Sequence, residues 1–245
     1  MKPAFYALRP GGWRDYVSLL HPPYTAWHLA NVVIGGCLAP TVPWGRLALT
    51  VLAFGMALGV GAHALYELNG RPLGTRIASP VLIALAVVSV VGACAIGIAV
   101  ASQTTWWLLA FVAVGAFLVP AYNLELFGGR FHTSLWLGLA WGAFPVLTAY
   151  VACAETVRVE AVVAAGWAML MVLAQRTLST PVRHVRRDVR AVSGDLELND
   201  GTRESLTPEI LVAAPETAML LIAAATILLA EIGRASCRER VYSSV

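Results

Sequence analysis

Seven stretches of this chain stay apolar for close to the roughly 20 residues that a helix needs to cross the hydrocarbon core of a bilayer. They run approximately over 25–44, 47–66, 80–101, 105–121, 134–154, 157–175 and 213–230. Backbone amides and carbonyls find no partner in hydrocarbon, so such stretches fold as helices. The expected fold class is all-α, a polytopic transmembrane helix bundle of about seven spans. A composition of 58% hydrophobic and 13% charged residues leaves little chain for a second, soluble domain.

The basic residues orient the bundle. Before the last fifteen positions, Lys2, Arg9, Arg14, Arg71, Arg76, Arg130, Arg176, Arg183, Arg186, Arg187, Arg190 and Arg203 fall on one side of the spans, and only Arg46 and Arg158 on the other. Lys and Arg are retained on the cytoplasmic side, which assigns the N-terminus and the 67–79, 122–133 and 176–212 loops to the cytoplasm. The expected location is the cytoplasmic (inner) membrane. The net charge of +3 then follows from topology and does not signal nucleic acid.

Three segments are expected. Residues 1–24 form a cytoplasmic segment: Arg9, Arg14 and Asp15 interrupt any signal-peptide core, and 12–20 (GWRDYVSLL) reads as a short interfacial helix anchored by Trp13. Residues 25–230 form the bundle. Residues 231–245 (EIGRASCRERVYSSV) resemble a translated sequencing adapter and are set apart as non-native, which makes the seventh span read as truncated. Cys37, Cys94 and Cys153 stand singly within spans and read as small core residues.

Polar groups collect at the cytoplasmic ends of the second, fourth and sixth spans. The first group is His63, Tyr66, Glu67, Asn69, Arg71 and Arg76; the second is Tyr122, Asn123, Glu125, Arg130 and His132. The third is Gln175, Arg176, Ser179, Arg183, His184, Arg186 and Arg187. Converging helix ends would build a pocket half in lipid and half in water, suited to an amphiphile with an anionic head. Arginine supplies bidentate donors for phosphate oxygens, and Glu67, Asn69, Asn123 and Glu125 are hard oxygen ligands of the kind Mg²⁺ takes. Topology alone also places arginines at cytoplasmic helix ends. Glu67, four residues before Arg71, pairs with it or holds a metal. His63 is a packed interfacial ring or a ligand, and Asn31, inside the first span, bonds a neighbouring helix or contacts substrate.

The string NGRPLGTRI (69–77) after the second span, with LGLAWGAFPVLTAY (137–150) in the fifth, resembles the UbiA family of membrane prenyltransferases. The resemblance covers most of 24–190 and implies about nine spans, an N-terminus inside and two Asp-rich motif loops in the cytoplasm. It implies transfer of a prenyl group from an isoprenoid diphosphate to an acceptor, with Mg²⁺ on the motif acids. Here the first motif's positions hold Ala62, His63, Tyr66 and Gly70, and after the sixth span the first acid is Asp188. The remaining candidates are Glu67 and Tyr122 as catalytic groups and Glu67 with Asn69 as Mg²⁺ ligands. Arg71, Arg76, Arg176, Arg183 and Arg187 are the candidates for the diphosphate, and Asn31, His63, Asn69 and Asn123 for the rest of the pocket. Expected partners are an isoprenoid diphosphate and the bilayer, with no nucleic acid. Lys2 is the sole lysine, so no span offers a Schiff-base lysine for retinal. Spans nearly free of charge at mid-depth disfavour a transporter. A non-catalytic isoprenoid-lipid-binding or partner protein stands as the rival reading.

Overall fold

The computed structural model describes residues 2–242, with side chains as far as Cys237. Met1 and residues 243–245, the end of the segment set apart above, lie outside the described residues. A short helix, α1 (Trp13–Leu19), forms where the sequence places one. His21 then takes a left-handed backbone (φ 46°), and Pro22–Pro23 open α2 (Pro22–Cys37). Proline is suited to a first helical turn because its missing N–H would be unpaired there.

Two of the following helices change register midway. The helix Trp44–Leu68 consists of α3 (Trp44–Phe54), a π-helical segment (Gly55–Ala62) and α4 (His63–Leu68). Ser134–Ala154 repeats the plan with α7 (Ser134–Leu137), a π segment (Gly138–Ala143) and α8 (Phe144–Ala154). Between them run α5 (Ser79–Ser102) and α6 (Leu108–Asn123). The chain continues through α9 (Val159–Arg187), a hairpin of β1 (Asp195–Glu197) and β2 (Arg203–Ser205), and α10 (Pro208–Tyr242). The hairpin is antiparallel, with Asp195 opposite Ser205, and is the exception to an otherwise helical chain.

Five helices are long and apolar enough to cross a membrane: Trp44–Leu68, Ser79–Ser102, Ser134–Ala154, Val159–Arg187 and Pro208–Cys237. This is a membrane protein by that criterion. The remaining two bundle helices, α2 and α6, have 16 residues each. That length covers about 24 Å against a hydrocarbon thickness of about 30 Å, so five of the about seven expected spans meet the length criterion. A second departure is that α9 runs through 176–187, where a loop was expected. Polarity takes those residues out of the apolar layer without taking them out of the helix. The hydroxyls of Thr177 and Thr180 fold back on the carbonyls of Leu173 and Arg176, and Pro181 is accommodated within the helix.

At the centre lies α2, packed on α8 and α10 and touching α3 and α9. Glycine sets how closely these helices approach. A Cβ on Gly35 would meet the Val146 carbonyl at 2.2 Å, and one on Gly142 would meet the Ala168 carbonyl at 2.7 Å. Small residues are what helix interfaces in lipid use for such contact. The outward faces of α5, α9 and α10 are apolar and open, with Val88 67% and Val163 67% exposed, as lipid-facing surfaces are.

Candidate functional site

At the polar end of the bundle a cavity of about 290 Å³ opens between α2, α4, α6, the second π segment and α9. The central helix supplies Tyr24 and His28, four residues apart on one helical face, and His21 stands at its N-cap. From the end of α4 come His63 and Tyr66, and from the end of α6 come Tyr122 and Asn123. Trp141 closes the inner wall, its ring centroid 4.5 Å from that of Tyr122. The backbone of 3–6 crosses the mouth, with Tyr6 edge-on to Tyr24 at 5.6 Å.

The opposite wall is α9, which contributes Arg176, Arg183 and Arg187 at helical spacings of seven and four. None of the three meets a carboxylate among the described residues. Arg183 donates to Ser179 Oγ at 2.7 Å and to Thr180 Oγ1 at 3.1 Å. Arg187 donates to the Tyr66 hydroxyl at 3.0 Å and to the Pro3 carbonyl at 3.4 Å. Among the described residues, the lining of the cavity contains no Asp or Glu. Arg186, one position from Arg187, shows the contrast: it is clamped by Glu216, Nη2 to Oε2 at 2.7 Å. Three uncompensated guanidinium groups in a partly enclosed space attract an anion more strongly than the same charges in open water.

The loop after α4 is built differently. Glu67 is fully buried, and its two oxygens accept the backbone N–H groups of Leu73 at 2.9 Å and Thr75 at 2.8 Å. Arg71, with φ of 55°, curls back to the Ile77 carbonyl at 2.5 Å and Ser79 Oγ at 2.8 Å. The Arg76 amide bonds Asp15 Oδ2 at 2.9 Å, and Asp15 Oδ1 takes the Gly11 amide at 2.8 Å. Asn69 donates to the Asn123 carbonyl at 3.2 Å, tying the loop to α6. Glu67, Asn69, Arg71 and Arg76 are absent from the cavity lining.

Of the sequence-selected residues, the structure brings His63, Tyr122, Asn123, Arg176, Arg183 and Arg187 together. It separates Glu67, Asn69, Arg71 and Arg76 from them. Asn31 lies outside the lining, fully buried, with neither side-chain atom hydrogen-bonded. Sequence reasoning missed Tyr6, Tyr24, His28 and Trp141. The 21, 24, 28 spacing of polar rings at the start of an otherwise apolar helix was the available signal for two of these.

The donors present do not fit Mg²⁺. Both Glu67 oxygens are taken by backbone amides, which leaves no carboxylate of the proposed ligand set free for a cation. Among the described residues no group of three or more His, Cys, Asp or Glu is placed to hold a metal. Outside the spans, burial holds the Tyr6 phenol well above its usual pKa, with Tyr24 adding to the effect. Burial, followed by the neighbouring His63, holds His21 well below the usual histidine range, so its ring is neutral at pH 7. Compared with known proteins, the chain matches no family model, no curated protein and no solved structure.

Proposed function

We propose that this protein binds the diphosphate of an isoprenoid diphosphate in the cavity at the polar end of its bundle and transfers the prenyl group to an acceptor. The observation that carries the proposal is the trio Arg176, Arg183 and Arg187, which among the described residues meets no carboxylate, in a cavity lined by no described acid. The protein sits in the cytoplasmic membrane with its N-terminus inside, and α2 and α6 complete seven spans. The one-sided distribution of Lys and Arg supports that orientation.

A second, wholly different space supports the isoprenoid part of the reading. An apolar cleft of about 100 Å³ lies between α3, α5, α6 and α8, lined by residues such as Phe54, Ile96, Phe111 and Phe144. Trp141 borders both this cleft and the cavity, so an anionic head and a hydrocarbon tail have adjoining places. In the reaction, the allylic C–O bond breaks with its electron pair leaving on the diphosphate, while the acceptor's pair forms the new bond to the allylic carbon. The arginines stabilise the charge that develops on the leaving group.

Binding without turnover is the second reading. It is favoured by Glu67, the one motif-loop carboxylate, being committed to closing its own loop.

The test uses radiolabelled geranylgeranyl diphosphate with the full-length protein in detergent, in Mg²⁺ and in EDTA. Prenyl transfer on arginines predicts binding and diphosphate release that survive EDTA. Binding with no release under any condition selects the second reading, and absence of binding overturns both.

A further inference from the structure

The cavity carries groups that an anion does not need. Four of the five histidines, His21, His28, His63 and His132, line it. Each holds Nδ1 against a backbone carbonyl: Leu19 at 2.8 Å, Trp141 at 3.0 Å, Gly59 at 3.1 Å and Tyr122 at 3.0 Å, respectively. A carbonyl can only accept, so in each ring the proton lies on Nδ1 and Nε2 of the neutral form keeps its lone pair. No Nε2 of the four is hydrogen-bonded within the described protein.

Two of the anchoring carbonyls belong to the two π segments. Gly59 lies within Gly55–Ala62 and Trp141 within Gly138–Ala143. At the first, the amide of His63 turns to the Val60 carbonyl and leaves that of Gly59 to the imidazole ring. π turns inside α-helices are uncommon and recur at functional sites. Here both serve the same purpose, fixing the tautomer of a cavity histidine. The His21 ring stacks on His63 with centroids 4.0 Å apart and limits its rotation.

We propose that His28 and His63 are the proton acceptors of a second subsite in this cavity, which takes a hydroxyl-bearing nucleophile beside the anion held by the arginines. The assignment rests on the prenyl-transfer reading. As the allylic C–O bond to diphosphate breaks, the nucleophile's oxygen forms a new C–O bond to the allylic carbon. Its proton passes to Nε2 of one of the two rings, and the imidazolium returns that proton to water. The products are a prenyl ether (a prenyl alcohol when water attacks), diphosphate and a proton.

The test combines two probes on the full-length protein. Inorganic diphosphate reads the arginine subsite alone. Geranylgeranyl diphosphate, with water or added phenol as the hydroxyl donor, reads turnover as released diphosphate. His28→Gln and His63→Gln are expected to slow turnover about a hundredfold, a typical loss for a missing general base, and to leave inorganic diphosphate binding within about twofold. Added imidazole is expected to restore part of the rate to His63→Ala, which a packing role would not allow. Turnover at the wild-type rate in both glutamine variants overturns the assignment. So does a wild-type protein that binds diphosphate yet releases none with either hydroxyl donor. Failure of the wild-type protein to bind inorganic diphosphate is a different result: it removes the arginine site and the proposed function with it.

Discussion

Two arginine-bearing regions face the same end of the bundle, and they use the same residue in opposite ways. In the loop after α4, the Arg71 side chain is bonded to the Ile77 carbonyl and Ser79 Oγ, and the backbone amide of Arg76 is held by Asp15 of α1. On α9, Arg176, Arg183 and Arg187 stand on one helical face toward a cavity and meet no acid among the described residues. The two buried acids near the loop serve its backbone and not its arginines. Glu67 and Asp15 sit beneath the loop and collect four backbone amides between them, which is how an irregular segment satisfies N–H groups that have no ladder partner. The cavity has no acid in its lining among the described residues. Neither region pairs these arginines with a carboxylate among the described residues; what separates them is that Arg176, Arg183 and Arg187 line the cavity and Arg71 and Arg76 do not.

The comparison is broken or sharpened by substitution, and the largest effect belongs to the cavity. Replacing Arg176, Arg183 and Arg187 together with Gln removes every uncompensated cation of the site. Charge-assisted bonds of about 1.5–3 kcal/mol each predict loss of diphosphate binding beyond a hundredfold, measured by radioligand binding. Next is Glu67→Ala, which strands two buried amides and lowers stability by about 3 kcal/mol, seen as a fall in Tm, while the folded fraction still binds diphosphate. The pH dependence is smaller. His21 is held below its unfolded pKa of about 6.5, so the unfolded chain takes up the proton first as pH falls through that value. Stability is therefore full above that pH and drops below it, by up to about 1.4 kcal/mol per pH unit for this ring, and His21→Gln flattens the acid limb of a Tm–pH series. The smallest effect is expected for Arg71→Ala, whose diphosphate affinity stays within about twofold of wild type, because the group it removes bonds only its own loop. A larger loss there would erase the distinction between the two regions.

Much of the fold is written in the sequence's hydropathy. The apolar runs become the bundle's helices, Pro22–Pro23 mark the start of α2, and a helix forms at Trp13–Leu19 where Trp13 and the following apolar residues announce it. What hydropathy does not report is where a helix ends once it leaves the apolar layer, which is why 176–187 reads as loop and folds as the last turns of α9. The hairpin of β1 and β2 escapes for a related reason, being three-residue strands that are exposed throughout. The site is less legible. Its three arginines share a helical face, and that spacing is visible in the chain. Which of the three polar helix ends meet is decided by packing across α2, where Gly35 lets Val146 close in. The role of Glu67 was beyond reach for a physical reason. A carboxylate that accepts loop amides and one that binds a cation are the same residue in sequence, and only the backbone path from Arg71 to Thr75 tells them apart.

The most direct measurement is an experimental structure of the protein with a prenyl thiodiphosphate, whose sulfur slows cleavage of the allylic bond. The account predicts the diphosphate oxygens within hydrogen-bond distance of Arg176, Arg183 and Arg187, with the prenyl chain passing Trp141 into the cleft beside Phe111 and Phe144. A diphosphate held instead by Arg71 and Arg76, with Glu67 released from the amides of Leu73 and Thr75, would contradict it.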